Sequence, residues 1–303
     1  MIKGLVSVII PTYNRATYVV EAIRSAIAQT YPLKQIIVVD DGSCDETAQR
    51  VAELNFKEIE YYYQSNRGQG SARNHGLRFA VGEYIASLDS DDLWDEDFLA
   101  RSVECLGAYN LDFAFTNWTK MRGEQSHPSE WLRDGKWKAY QKSRRDEWFI
   151  LTPAEVRKLF LKICPAPSSS LLIRRDSIVN GWGEQMLIAD DWHMILEMAL
   201  HSPRTAAFSL TPRWRKRVDG QNVYDGRPFT DSAKKLYLHD HPIFRRDFRM
   251  LLTRREKIML ARREAAYRFR LLLHKATETN LAAHLKVPAL VARLRNRLGG
   301  ARA

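Results

Sequence analysis

Short β-branched runs alternate with apolar residues at helical spacing through the first hundred residues. Val6 to Ile10 (VSVII) is a buried-strand run closed by Pro11. From Tyr18 to Gln29, Val19, Ala22, Ile23, Ala26 and Ile27 fall on one face of a helix. Gln35 to Val39 (QIIVV) predicts a second strand and a helix pattern resumes at Glu46. Glu58 to Tyr63 predicts a third strand, Gly70 to Ala80 a third helix and Glu83 to Leu88 a fourth strand. Strand and helix in this alternation predict an α/β unit, a mostly parallel twisted sheet with helices on both faces. Sheets of that kind bind ligands beyond the carboxyl ends of their strands.

The pattern continues with a helix from Phe98 to Tyr109 and a strand from Asp112 to Asn117 (DFAFTN). Lys120 to Arg145 is polar and predicts a long loop or short helices over the ligand edge. Ser168 to Ile173 predicts a strand, Ala189 to Leu200 a helix opened by two acids, and Pro203 to Val218 a strand pair or loop. Near the C-terminus, Ile258, Ala261, Ala265, Phe269, Leu272 and Ala276 step by three or four residues among arginines. After Pro288 a short second helix puts Leu290, Leu294 and Leu298 on one stripe.

Polar residues cluster where the strands end. Thr12, Tyr13 and Asn14 follow the first strand, Asp40 and Asp41 the second, Asn66 to Gly70 the third, and Asp89, Ser90, Asp91 and Asp92 the fourth. Four clusters thus meet at one edge of the predicted sheet.

Composition sharpens this picture in two respects. A chain of 303 residues, 45% hydrophobic and 27% charged, is long enough for a substantial core. Cys44, Cys105 and Cys164 are odd in number and far apart, which argues against a disulfide scaffold or metal knuckle; they are expected in the core of a protein from a reducing compartment. No apolar run approaches the roughly 20 residues of a membrane helix, and the N-terminus runs straight into a strand pattern, so a cytoplasmic location is expected. Charge divides the chain unevenly. Residues 1–240 carry 31 Lys and Arg against 32 Asp and Glu, whereas residues 241–303 carry 16 against 4. A neutral body with a cationic, amphipathic tail suggests attachment to an anionic membrane surface, or else a helical appendage packed on the body with its basic face in water. Nucleic acid is not expected, because no recognised nucleic-acid module accompanies the basic stripe.

The chemistry lies in the acids. Asp89 and Asp91, one residue apart after a buried strand, suit a hard divalent cation such as Mg2+ or Mn2+. Their competing use is that Asp91 or Asp92 caps a helix starting near Asp95. An EF-hand is excluded, since loop position 6 is Trp94 and position 12 is Ala100. In the Asp40-Asp41-Gly42-Ser43 cluster one carboxylate can read a base or ribose while the other makes a turn. Tyr13 is placed to stack on a nucleobase, and Arg73 to lie against phosphate beside a Gly-rich stretch that is neither a P-loop nor a dinucleotide fingerprint. His239-Asp240-His241 offers metal ligands or merely a helix start or surface loop. Trp118, Trp131, Trp137 and Trp148 offer sugar stacking or ordinary packing.

VSVIIPTYNR at 6–15, VVDDGS at 38–43, the GxGSARNxG stretch at 68–76, GEYIASLDSDD at 82–92 and ADDW at 189–192 together resemble the family 2 glycosyltransferases. The resemblance implies the GT-A, Rossmann-like fold and an inverting, usually metal-dependent transfer from a nucleotide-diphosphate sugar, with UDP-sugar as the leading donor. By motif position, Tyr13 would stack on the base and Asp41 bond its imide, with Thr12, Asn14, Arg73 and Asp89 also at the nucleotide sugar. Asp89 and Asp91 would hold the metal, Asp91 the more directly. The family's base usually follows a Glu; here Asp190-Asp191-Trp192 puts Asp191 at the base position and Asp190 in place of the Glu. SSSLLIR at 168–174 and RVDGQNV at 217–223 resemble segments flanking the acceptor. The implied organisation is a nucleotide-sugar half (1–110), an acceptor half with the base (111–235) and a basic helical tail (236–303). The acceptor would be a hydroxyl of a glycan or lipid-linked saccharide in cell-surface polysaccharide synthesis, at the cytoplasmic face of the inner membrane. Alternatives are a polyprenyl-phosphate glycosyl synthase and a non-catalytic nucleotide-binding module.

Overall fold

The computed structural model describes residues 1–122, 125–128, 135–218 and 229–278. Its first half is the expected alternation: β1 (Ile2–Thr12), α1 (Ala16–Ile27), β2 (Lys34–Asp40), α2 (Thr47–Ala52), β3 (Ile59–Tyr63), α3 (Gln69–Phe79) and β4 (Gly82–Ser87). A two-residue β5 (Leu93–Trp94) and α4 (Phe98–Tyr109) lead to β6 (Phe113–Arg122), β7 (Gln125–Pro128), a 3-10 turn at Gly135–Tyr140, β8 (Arg144–Arg145) and β9 (Trp148–Leu151). Then follow α5 (Pro153–Phe160), β10 (Leu171–Arg174), α6 (Asp190–His201), β11 (Ala206–Arg217), α7 (Phe229–Ala233), a π-helical turn at Lys234–Asp240, α8 (His241–Asp247) and α9 (Arg254–Glu278).

One sheet runs in the order β3-β2-β1-β4-β10-β6-β11-β9-β8. Strands β3, β2, β1 and β4 are parallel, as are β6 and β11, while β10 runs antiparallel between β4 and β6. Alternate strand residues enter two different cores. Ile9, Ile37, Val39, Ile85, Phe113 and Phe115 face α3, α5 and α6, whereas Val8, Ile10, Ile36, Val38, Ala86 and Ala114 face α1 and α4. Covering both faces is why these strands read as continuous apolar runs. Helix α3 lies especially close to β1, for a Cβ on Gly76 would meet Ile9 Cγ2 at 2.6 Å.

Several expectations change. The stretch after Lys120, predicted as a long loop or short helices, does contain a short 3-10 turn over Trp137 but also pairs β6 with β7, and Pro203 to Val218 holds one strand, β11, which accommodates Pro212 at a register shift. The three serines 168–170 form a 3-10 turn before β10, because Ser170 donates both its N–H and its hydroxyl to the Pro167 carbonyl. Helix α5 went unpredicted. Trp118, Trp137 and Trp148 are buried packing residues, and Cys44 is exposed in the loop after β2 rather than in the core. Trp131, the helix expected after Pro288 and most of the 217–223 segment lie outside the described residues.

Between Phe229 and Leu260 the chain closes against the body. Phe244, Phe248, Leu252 and Leu260 are buried in the same core as Ile9 and Phe113. Arg157 of α5 forks onto Glu256 of α9 with two hydrogen bonds of 2.9 Å and also donates to the Leu251 carbonyl.

Candidate active site

The polar clusters do converge at the carboxyl ends of β1, β2 and β4, and α3 links them. Gln69 and Arg73, one turn apart on α3, both reach Asp190 at the start of α6. Arg73 is buried; its Nη1 donates to Asp190 Oδ2, its Nη2 to Asp89 Oδ1 at 2.5 Å and its Nε to Ser87 Oγ at 3.1 Å. One guanidinium therefore ties the acid after β4 to the acids opening α6. All three guanidinium nitrogens are engaged in this way, so Arg73 stands between carboxylates rather than open to a phosphate. The next residue on α3, Asn74, accepts from Trp182 N–H and donates to Trp182 C=O, both at 2.8 Å, fastening the segment that leads to α6. Gly70 allows the close approach, since a Cβ there would meet Gly183 O at 2.9 Å.

The two acids of α6 have different surroundings. Asp190 is buried and takes hydrogen bonds from Arg73 and from Gln69 Nε2 at 2.6 Å. Asp191 is half-buried; its Oδ2 accepts from Ser168 N–H at 3.1 Å and its Oδ1 from Trp192 N–H at 2.6 Å. Burial, and then the neighbouring Asp190 carboxylate, push the Asp191 carboxyl up to about 7 against the opposing pull of Arg73. Burial likewise raises Asp190, with Arg73 opposing.

At the end of β4, one carboxylate oxygen from each of Asp89, Asp91 and Asp92 lies within 4.8 Å of the other two. Asp92 does not cap α4, which begins at Phe98. It is buried, accepting from the Ser169 hydroxyl at 2.7 Å and from Arg217 N–H at 3.2 Å. Asp91 is raised by burial and then by Asp89, and Asp92 is raised further, by burial and then by Asp91. Three hard oxygen ligands crowded against their mutual repulsion fit a divalent cation, which would relieve that repulsion. Both Asp92 oxygens are already bonded within the protein. Arg15 and Lys216 lie near enough to oppose the rise at Asp91.

Around the first two strand ends, side chains build the loops. Asp40 makes the turn, accepting from Ser43 N–H at 2.7 Å and from the Tyr61 hydroxyl at 2.6 Å. Asp41 is buried and accepts from Gln64 Nε2, Arg67 N–H and Gly68 N–H at 2.7 to 2.9 Å, so it shapes the Gly-rich stretch before α3. Asn14, at φ +50°, takes Cys44 N–H at 2.9 Å while its own N–H donates to Ser43 Oγ at 2.8 Å. Thr12 is buried with its hydroxyl unpartnered among the described residues, and Tyr13 is 47% exposed.

The sequence reading gave no role to Gln69, Asn74 or Ser169, and none at the site to Asp240. Asp240 is fully buried where the π-helical turn meets α8 and accepts from the N–H groups of Leu187, Ile188 and Ala189 at 2.9 to 3.1 Å. It therefore holds the backbone directly before Asp190. His241 packs edge-on against Trp192 with centroids 5.4 Å apart, and burial lowers its pKa to about 3, so it stays neutral there. His193 faces Asp247 at 3.2 Å, away from a base role.

Against known proteins, the sequence profile of glycosyl transferase family 2 matches residues 7–180. The chain belongs to this family. Among its relatives, the protein named for teichuronic acid biosynthesis, glycosyltransferase TuaG of Bacillus subtilis, is 37% identical over 122 residues, 39% of this chain and 48% of TuaG. Chondroitin synthase of Escherichia coli is 38% identical over 113 residues, 36% of this chain and 16% of that enzyme. The matches thus take in less than half of each relative's length. S. aureus TarS 1–349 with UDP-GlcNAc has a TM-score of 0.58 at 21% identity, covering 77% of this chain and 65% of that one. The mannosyltransferase PcManGT of Pyrobaculum calidifontis, with GDP-Man and Mn2+, has a TM-score of 0.61 at 22% identity over 96% of this chain and 80% of its own. These structures establish the GT-A fold, and the family to which the chain belongs is one of glycosyltransferases.

Proposed function

We propose that the protein transfers a sugar, with inversion, from a nucleotide-diphosphate sugar to a hydroxyl of a glycan or lipid-linked saccharide in cell-surface polysaccharide synthesis. The observation that carries this reading is the Arg73 bridge, which brings the acids after β4 and the acids opening α6 into one cluster. A nucleotide-binding module without transfer has no use for a second acidic centre held against the first.

In this reading Tyr13 stacks on the base and Thr12 offers its unpartnered hydroxyl, while Asp41 and Asn14 set the loops that frame the nucleotide. A divalent cation on Asp89 and Asp91 would supply positive charge to the diphosphate as it leaves. Asp191 accepts the proton of the acceptor hydroxyl. That oxygen forms its bond to the anomeric carbon as the bond to phosphate breaks on the opposite face, the electron pair leaving with the diphosphate. Asp190 and Arg73 position Asp191 and set its charge. The raised carboxyl of Asp191 supports its role, because a base that protonates near neutrality is matched to taking a hydroxyl proton. It also favours a hydroxyl acceptor over a polyprenyl phosphate, which arrives ionised and needs no base.

Calorimetry with UDP-, GDP- and dTDP-sugars, with and without Mn2+ or Mg2+, tests the donor side; uridine is the base to try first. Metal-dependent binding of one donor, lost in Asp91→Ala, is the expected result. Asp191→Asn should bind that donor as the parent does and lose transfer by about 10²–10⁴-fold. Unchanged turnover in Asp191→Asn would overturn the assignment of the base.

A further inference from the structure

Helix α9 presents its apolar stripe to water instead of to the protein. Its inner side is polar for the most part. Glu256 pairs with Arg157, Arg263 lies over the rings of Trp192 and Tyr237, Glu264 pairs with Arg245, and Leu260 is the buried apolar residue among them. On the outer side Ile258, Ala265, Phe269 and Leu272, spaced by seven, four and three residues, fall on one line, and all four are exposed. Ile258 is 43%, Phe269 40% and Leu272 66% exposed. Arg254, Arg255 and Arg262 flank this line, and none has an acidic partner among the described residues. In the connection between α8 and α9, Met250 is 90% exposed. Beside it opens a groove of about 390 Å³ lined by Pro242, Arg245, Arg246, Arg249 and Lys257.

We infer that this face, α9 together with the α8–α9 connection, is a docking surface for an anionic phospholipid bilayer. Charge complementarity selects that occupant. On such a surface the exposed line of Ile258, Phe269 and Leu272 would meet the acyl chains and the flanking arginines the headgroups. Nucleic acid would use the arginines but gain nothing from Ile258, Phe269 and Leu272. The membrane expectation from charge and amphipathic pattern covered all of residues 241–303; the inference narrows it to one face of α9, whose other side is committed to the body. The inference does not depend on the transfer chemistry, since it uses none of the acids of the active site.

The test is co-sedimentation of the full chain with vesicles of phosphatidylglycerol and phosphatidylcholine, against vesicles of phosphatidylcholine alone, at low and high salt. The parent should bind the anionic vesicles and lose binding as salt rises. Phe269→Asp with Leu272→Asp, both at exposed positions, should weaken binding on the order of tenfold or more. Arg254→Glu with Arg255→Glu should weaken it by about fivefold per arginine removed or more. Unchanged thermal unfolding and nucleotide binding would show that these variants keep the fold. Three results would each overturn the inference: no preference for anionic vesicles, equal binding by the Phe269/Leu272 variant, or a parent dimer that the same variant converts to monomer. Retained RNA binding without vesicle binding would assign the arginines to nucleic acid instead.

Discussion

Asp190 and Asp191 are neighbours of the same residue type, and their surroundings give them different work. Asp190 is enclosed by Arg73 and Gln69, whereas Asp191 keeps an accessible edge and a carboxyl raised to about 7. A base must be ionised, so transfer should rise with pH through about 7 and level off above it, which a pH–rate profile of the free enzyme reads directly. Asp190→Asn removes the negative neighbour that helps raise Asp191, so the midpoint should move to lower pH; a midpoint that stays or rises would contradict the pairing. Folded-state stability follows the opposite course. Asp191 binds its proton more tightly folded than unfolded, so its contribution is present below the ordinary carboxylate value of 3.8 and is lost as pH climbs towards 7. Arg73→Met leaves buried Asp190 without its cation and should cost about 3–5 kcal/mol, seen as a lower denaturation midpoint. Adding Asp190→Asn to that variant should restore part of the loss, as a double-mutant cycle would measure. None of this was legible from residue types. The motif located Arg73 and both aspartates, but a guanidinium beside a Gly-rich stretch suggested phosphate, and only the approach of α3 to α6 paired it with carboxylates.

At the scale of elements, periodicity located β1, β2, β4, α1 and α4 because each buries an apolar side that its sequence announces, whereas β3, at the edge of the sheet, is only partly buried. Helix α5 was equally announced and went unused. Thr152 and Glu155 form a reciprocal capping box with Pro153 at the first turn, ahead of buried Val156, Leu159 and Phe160. The 168–170 turn was less visible, since serines beside Leu171 and Leu172 suit a strand until their hydroxyls find Pro167 O and Asp92. The π-helical turn before α8 has no sequence pattern of its own, yet it delivers Asp240 to the three N–H groups before α6. Asp240→Asn keeps the shape but weakens that set of charge-assisted bonds. It should cost about 1–3 kcal/mol and slow transfer more than it weakens donor binding. Loss of stability with an unchanged kcat would reduce Asp240 to a purely structural residue.

Across the whole molecule, the division of charge along the chain does not mark a separable tail. Residues through Leu260 contribute to the core that contains Ile9 and Phe113, and Arg157 anchors α9 to α5. Cutting the chain at 240 would strip Phe244, Phe248, Leu252 and Leu260 from that core, so membrane binding has to be examined with point variants of the full chain. No helix of the described residues is long and apolar enough to cross a membrane. Sequence alone determined the alternating α/β order, the strand-end placement of the acids and, through its motif blocks, the family, because each of these is written in neighbouring residues. Tertiary structure alone decided that Arg73 joins Asp89 to Asp190, that Asp240 braces the start of α6 and that the apolar line of α9 faces outward. Those contacts link residues 16 to 117 positions apart, and which of them form depends on how the helices pack on the sheet, a quantity no local pattern encodes.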